Sequence, residues 1–258
     1  MRNKILLTIL IIFILVNISY GYNPQHLEIF KNHLSGMWQK WRKQNPSIRP
    51  DLSNAVINFG AFNGDYSHVN LKGTTITGGG MSPPVLFFNS DLSYGTLKDF
   101  QILWSRDNRR KTVFKNTTLY RIKMINVSVV DTEFISVILK ESIIQNSNID
   151  STVFKNTSFE KAKILNSELW FEFYNIDFSY SEITKTIIAS NLIQESKLFN
   201  IKFNHAKIYE SSIAGWLYNV SFLNADLSGS SFYYFKIPEG SILTNVNFTN
   251  ANLTNVNF

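Results

Sequence analysis

Four carboxylates crowd one short stretch of this 258-residue chain: Glu168, Glu172, Asp177 and Glu182. Two carboxyl groups held in unlike environments could divide general acid from general base work. Four histidines, His26, His33, His68 and His205, are the other material for proton transfer or metal ligation, and they are scattered. The chain has no cysteine, which excludes thiolate nucleophiles, thiolate zinc sites, iron–sulfur clusters and disulfide staples. A basic cluster, Arg106, Arg109, Arg110 and Lys111, lies within the segment Ser105 to Lys111 and could contact an acidic partner. Whether any of these groups converge depends on the elements that hold them.

The first of those elements is an address. Arg2 and Lys4 precede the run Ile5 to Val16, apolar except for Thr8, and small residues follow at Ser19 and Gly21. A charged start, a short apolar core and small residues before a break describe a secretory signal peptide, here 1–21 with cleavage after Gly21. The run falls short of the roughly 20 apolar residues that a spanning helix needs. We therefore expect a periplasmic or secreted bacterial protein with no membrane span after cleavage; an uncleaved signal anchor in the inner membrane is the alternative. No cysteine follows the apolar run, so a bacterial lipoprotein is excluded. Losing Arg2 and Lys4 lowers the formal charge from +6 to +4, so part of the basicity belongs to export.

Asn23-Pro24 then reads as an N-cap with proline in the first turn. Leu27, Phe30, Leu34, Met37, Trp38 and Trp41 follow at helical spacing, and the helix should stop near Asn45 because Pro46 restricts the residue before it. One helix within 22–46 is expected to dock this stripe on the following domain, leaving Lys31, Lys40, Arg42 and Lys43 on a solvated face.

Beyond Leu52 neither the helical nor the strand period dominates. Large apolar residues recur at every fifth position from Phe114 through Leu119, Met124, Val129, Phe134, Leu139, Ile144, Ile149, Phe154, Phe159, Ile164 and Leu169. The frame slips by one and resumes at Phe173, Phe178, Ile183, Ile188, Ile193, Leu198, Phe203, Ile208 and Ile213. It slips again to Leu217, Phe222, Leu227 and Phe232, and ends as Leu243, Phe248, Leu253 and Phe258. Two positions before each centre the residue is small or β-branched, as at Thr112, Thr132, Ser147, Thr152 and Ala162, which suits a second inward position with little room. Two positions after it asparagine is frequent: Asn116, Asn126, Asn146, Asn156, Asn166, Asn175, Asn200, Asn219, Asn224, Asn245, Asn250 and Asn255. Asparagine tolerates turn conformations, so each pentad reads as one short straight piece and one corner.

Ala225-Asp226-Leu227-Ser228-Gly229 and Ala251-Asn252-Leu253-Thr254-Asn255 match the consensus A(D/N)LXX, and the chain resembles the pentapeptide-repeat family over residues 27 to 258. The lead-in is also similar: Trp38-Gln39-Lys40-Trp41-Arg42, then Pro50-Asp51-Leu52-Ser53. The resemblance implies an all-β, right-handed quadrilateral β-helix over 47–258 behind an N-terminal capping helix, with four pentads per coil. The sequence supports four-sidedness separately, because Thr-Val-Phe-Lys-Asn-Thr occurs at Thr112 and again at Thr152, two coils later. Irregular loops are expected near 78–84, 105–111 and 233–240, where the frame breaks.

Taking every fourth centre predicts an aromatic-rich column Phe114, Phe134, Phe154, Phe173, Ile193, Ile213, Phe232 and an aliphatic one Val129, Ile149, Leu169, Ile188, Ile208, Leu227. In that arrangement Glu168, Glu172, Asp177 and Glu182 point outward from successive faces and do not converge. Asp177 should lie beside Lys197, and Glu182 between Lys163 and Lys202, as rungs of charge ladders. Exposed-looking aromatics at the frame slips, Trp170, Tyr174, Trp216 and Tyr218, could bind a glycan or a protein, or cover irregular corners.

The functional expectation is an exported, non-enzymatic scaffold or protein-interaction surface, with no catalytic, cofactor or metal site and no nucleic-acid partner. Arg106, Arg109, Arg110 and Lys111 form a candidate partner-binding loop. The family resemblance implies a homodimer through the last coil, with Leu243, Phe248, Leu253 and Phe258 at its edge. It also implies the alternative of duplex-DNA mimicry toward a type II topoisomerase such as gyrase, which asks for an acidic surface that a chain of +4 does not suggest. A glycan-binding envelope protein is a further alternative.

Overall fold

The structure is a computed structural model that describes residues 21–31, 36–103, 111–189, 197–233 and 243–257. The expected signal peptide therefore falls almost wholly outside the described residues, as do Arg106, Arg109, Arg110, the 233–240 segment after its first residue, and Phe258.

A right-handed five-residue rule makes a parallel stack. Strands β1 (Val56–Asp65) and β2 (Thr75–Phe88) pair in parallel, and each later coil is laid in parallel on the one before it. Centre stands on centre: Phe114 pairs with Phe134, Phe134 with Phe154, and Phe154 with Phe173. The small residue two before each centre is buried beside it, as for Thr132, Ser147, Thr152 and Ala162. Several of their hydroxyls satisfy themselves on backbone carbonyls, Thr117 on Phe87 at 2.7 Å and Ser147 on Gln145 at 2.9 Å.

Most of the described corners turn through a left-handed residue. All twelve corner asparagines read from the sequence have positive φ, from 49° at Asn166 to 58° at Asn245. Where asparagine is missing the same strained geometry persists, as at Arg121, Glu141, Lys161, Tyr180 and His205.

Two columns of phenylalanine run up the interior. Phe87, Phe114, Phe134 and Phe154 stack at 4.6–4.8 Å with planes within 5° of parallel. Phe159, Phe178, Phe203, Phe222 and Phe248 form the second column at 4.8–5.1 Å. The coil-to-coil spacing of parallel strands, about 4.8 Å, sets that ring separation.

The columns correct the sequence expectation above Phe173. Its partner is Leu198, followed by Leu217 and Leu243, and not Ile193, Ile213 and Phe232. Ile213 and Phe232 continue the other column above Ile188, where Ile208 and Leu227 were expected. The reason is unequal coil length. Successive corners Asn156, Asn175, Asn200, Asn219 and Asn245 are 19, 25, 19 and 26 residues apart, and only the regular coils, such as Asn146 to Asn166, take 20. The first 19-residue coil is made at Trp170 and Phe171, which pair with Asp150 and Thr152 so that Ser151 is skipped.

The segment 78–84, expected as an irregular loop, lies inside β2. Its irregularity is a bulge: β2 takes four steps from Met81 to Val85 where β1 takes two from Phe62 to Gly64.

The lead-in is two helices and not one. α1 (Pro24–Lys31) is capped by the Asn23 carboxamide oxygen, which accepts from the Gln25 and His26 N–H groups, and α2 (Met37–Gln44) follows Gly36 at φ 72°. The left-handed glycine re-aims the chain, so Met37, expected in the buried stripe, is 46% exposed while Phe30 and Trp38 are fully buried. Trp38 stacks on Tyr66 at 5.0 Å and donates its indole N–H to the Asp65 carbonyl at 2.9 Å. Arg42, expected on the solvated face, is buried instead: its guanidinium donates to the carbonyl oxygens of Ile48 and Ser67, each at 2.9 Å.

Candidate interaction surface

Coil geometry decides which outward residues become neighbours. Residues at one pentad position of successive pentads point from successive faces, and the strand register brings the counterpart of each in the next coil alongside. The carboxylates Glu168, Glu172, Asp177 and Glu182 consequently do not form a cluster. Glu182 is paired with Lys163 at 3.0 Å, with Lys207 on its other side, where Lys202 was expected. Asp177 is in register with Lys202 and not with Lys197. Both corrections have the same origin as the column shift, the 25-residue coil.

A second charge series climbs another corner. Arg121 meets Glu141 at 2.6 Å and Lys140 meets Glu160 at 2.5 Å. The Glu141 carboxyl is held below the usual range chiefly by the hydrogen bond from Arg121. Arg121 also lies over the rings of Tyr120 and Tyr94, 5.1 and 5.9 Å from their centroids, and Lys72 lies over Tyr94 at 5.4 Å. On the same corner Tyr180 and His205 are stacked.

Of the expected partner-binding loop only Lys111 is described. It reaches Asp131 at 3.1 Å and Glu133 at 3.9 Å, so it is tied to the next coil. In the expected dimer edge, Leu243 pairs its backbone with Leu217, Phe248 stacks on Phe222 at 5.1 Å while half-buried, and Leu253 is 38% exposed.

The surface that sequence reasoning did not assemble lies on the face above the 19-residue slip. Tyr174, Phe199 and Tyr218 are in register in three consecutive coils and point outward. Phe199 and Tyr218 are parallel within 7° at 5.1 Å, while Tyr174 and Tyr218 are 39% and 38% exposed. Burial and the neighbouring Glu172 carboxylate push the Tyr174 phenol upward in pKa. Each ring is followed immediately by a corner asparagine, and these carboxamides form a continuous ladder. Asn175 donates to Asn156 at 2.8 Å, Asn200 to Asn175 at 2.9 Å, Asn219 to Asn200 at 3.0 Å and Asn245 to Asn219 at 2.8 Å. Beyond the ladder runs a shallow trough in two contiguous stretches, of about 450 and 350 Å³, which share Asn175 and Asp177.

A signal for this face was present in the sequence, as the thrice-repeated aromatic-asparagine pair Tyr174-Asn175, Phe199-Asn200 and Tyr218-Asn219. Their spacings of 25 and 19 residues concealed it from a strict twenty-residue frame.

With four-sided coils, inward centres and left-handed corners in place, the family comparison agrees with the fold. Residues 239–258 match the model of the family described as pentapeptide repeats, eight copies. The chain is a pentapeptide-repeat β-helix. No curated protein matches it. Among solved structures, this pentapeptide-repeat chain is similar to HetL, a protein involved in heterocyst differentiation regulation in the cyanobacterium Nostoc. The two are 9% identical, with 84% of this chain and 94% of HetL covered and a TM-score of 0.38. It is also similar to full-length QnrB1, a plasmid-mediated fluoroquinolone resistance protein, at 15% identity over 74% of this chain and 91% of that one, with a TM-score of 0.48.

Proposed function

We propose that this pentapeptide-repeat chain is an exported, non-enzymatic scaffold whose outer faces serve as an interaction surface. The observation that carries the reading is the open face of Tyr174, Phe199 and Tyr218, with its unbroken asparagine ladder and a trough beside it. It is an extended surface and has the shape of a binding face. The carboxylates that could have done acid–base work are sent to different faces, and Glu182 is engaged by Lys163. Duplex mimicry ranks second, because it needs an unbroken acidic surface and the described corners alternate Arg121–Glu141 with Lys140–Glu160.

Export is supported by Arg2, Lys4 and the apolar run Ile5 to Val16. Cell fractionation with N-terminal sequencing tests it: a mature chain starting at Tyr22 in the envelope or medium is expected, and an intact cytosolic chain would overturn it. Self-association through the last coil is supported by Val246, Phe248 and Val256, inward side chains that remain only half-buried, and by the exposed Leu253. Light scattering should give a dimer mass that falls to the monomer in Phe248→Asp and Leu253→Asp. A monomer at high concentration would remove this interface. For the scaffold reading itself, the purified chain should recover a partner from the envelope fraction. Comparing the whole chain with one lacking Ser105 to Lys111 tells whether the basic loop contributes.

A further inference from the structure

We propose that the face carrying Tyr174, Phe199 and Tyr218 binds an extended, neutral, β-1,4-linked glycan laid along the solenoid axis, one hexopyranose to each coil. The inference rests on the scaffold reading above and names a ligand class for that face.

Three observations converge on it. The first is chemical. Asn175, Asn200 and Asn219 each spend one N–H on the asparagine below and accept one hydrogen bond from the asparagine above. A primary amide has two N–H donors and two carbonyl lone pairs. Asn175, Asn200 and Asn219 therefore each keep one donor and one acceptor, repeated in every coil. A hydroxyl group, which donates and accepts at once, is the natural complement. Hydroxyls in a regular row are what a polysaccharide presents.

The second is the period. Coils advance by about 4.8 Å, as parallel strands do, and the rings of Phe199 and Tyr218 repeat at 5.1 Å. An extended peptide repeats every ~3.3 Å. That repeat does not stay in step with the ladder over several coils. A hexopyranose in an extended 1,4-linked chain has nearly the length of one coil.

The third is the shape and charge of the face. The aromatic column, its rings stacked face to face from coil to coil, presents their edges as an apolar rail on one side of the ladder. On the other side lies the trough, whose Asp177 and Lys202 are in register and of opposite sign. The lining otherwise consists of amide, hydroxyl and aliphatic groups such as Ser221, Ser158 and Ile176. A neutral ligand fits that balance.

The test is calorimetric titration of the purified full chain with cellobiose, cellotetraose and cellohexaose. Saturable binding of the hexaose is expected, with affinity rising steeply from the biose to the tetraose because each added sugar engages another coil. Phe199→Ala with Tyr218→Ala should weaken the hexaose by about tenfold or more, the worth of lost aromatic contacts. Ser158→Arg, which puts a bulky side chain into the lower stretch of the trough beside Asn156 and Asn175, should do the same in a chain whose circular dichroism is unchanged. Tyr94→Ala, on a different corner, should bind as well as the parent. No saturable heat with the hexaose, affinity independent of length, or parent-like binding by the aromatic and trough variants would overturn the proposal. Recovery of a protein partner without a glycan response would sink the glycan and leave the scaffold reading standing. Steady hydrolysis of bound hexaose would do the reverse, since the face would then belong to an enzyme.

Discussion

Phe134 and Phe154 lie with ring centroids 4.6 Å apart and planes 4° from parallel, one in each of two consecutive coils. Phe154 also touches Phe159 at 5.2 Å, which joins the first aromatic column to the second. A fully buried ring with neighbours above, below and beside it cannot be removed without leaving a cavity. Phe154→Ala should cost about 3–5 kcal/mol and Phe154→Leu markedly less. Denaturant unfolding followed by far-ultraviolet circular dichroism measures the difference. Because each coil contacts only its neighbours, the loss should first appear as early melting of adjacent coils.

The corners permit a stabilising change. Lys161 holds φ at 58° with a Cβ that disfavours it, and its ammonium is 3.9 Å from Glu160 in an exposed setting. Lys161→Asn should raise stability by about 0.5–1 kcal/mol, because asparagine tolerates the left-handed region and the weak surface pair contributes little. The converse substitution, Asn166→Ala, should lower it by about 1–2 kcal/mol, with Asn166→Gly close to the parent. Thermal melts of the three variants check both signs.

Arg42 fastens the helical lead-in to the first coils by donating to the carbonyl oxygens of Ile48 and Ser67. Arg42→Ala leaves buried carbonyls without their donors and should cost about 2–4 kcal/mol. Arg42→Lys, a point charge without the planar fork, cannot serve both carbonyls and should recover only part. Hydrogen exchange should show lost protection concentrated in α2 and β1, with the coils beyond Phe134 unaffected.

His26 makes the same junction sensitive to pH. Its Nδ1 accepts the Asp51 backbone N–H at 3.0 Å, and its ring packs on Trp41 at 5.1 Å. Burial lowers its pKa below 6.5 and outweighs the opposing pull of Asp51. A histidine with a depressed folded pKa takes up its proton more readily when unfolded, so stability is complete above about pH 6.5 and declines as pH falls through the folded value. The unfolding midpoint should drop between pH 7 and pH 5. In His26→Gln that slope should flatten.

The sequence by itself determined the local rule. Apolar centres at every fifth position specify which side chains enter the core, and the twelve asparagines two places later mark left-handed corners. Those features are decided within a few residues, by side-chain size and by the backbone region each residue tolerates. The Asn23 cap and the stop at Asn45 were legible for the same reason. Burial of Arg42 was not, since it depends on carbonyls of Ile48 and Ser67 that only the docked helix brings within reach. The tertiary structure also decided which coil residue stands above which. Register between coils accumulates along the path, so the 25-residue coil after Asn175 displaced the pairings above it by one pentad, and the 26-residue coil after Asn219 added another. That displacement moved Lys202 beside Asp177 and aligned Tyr174, Phe199 and Tyr218 into one face.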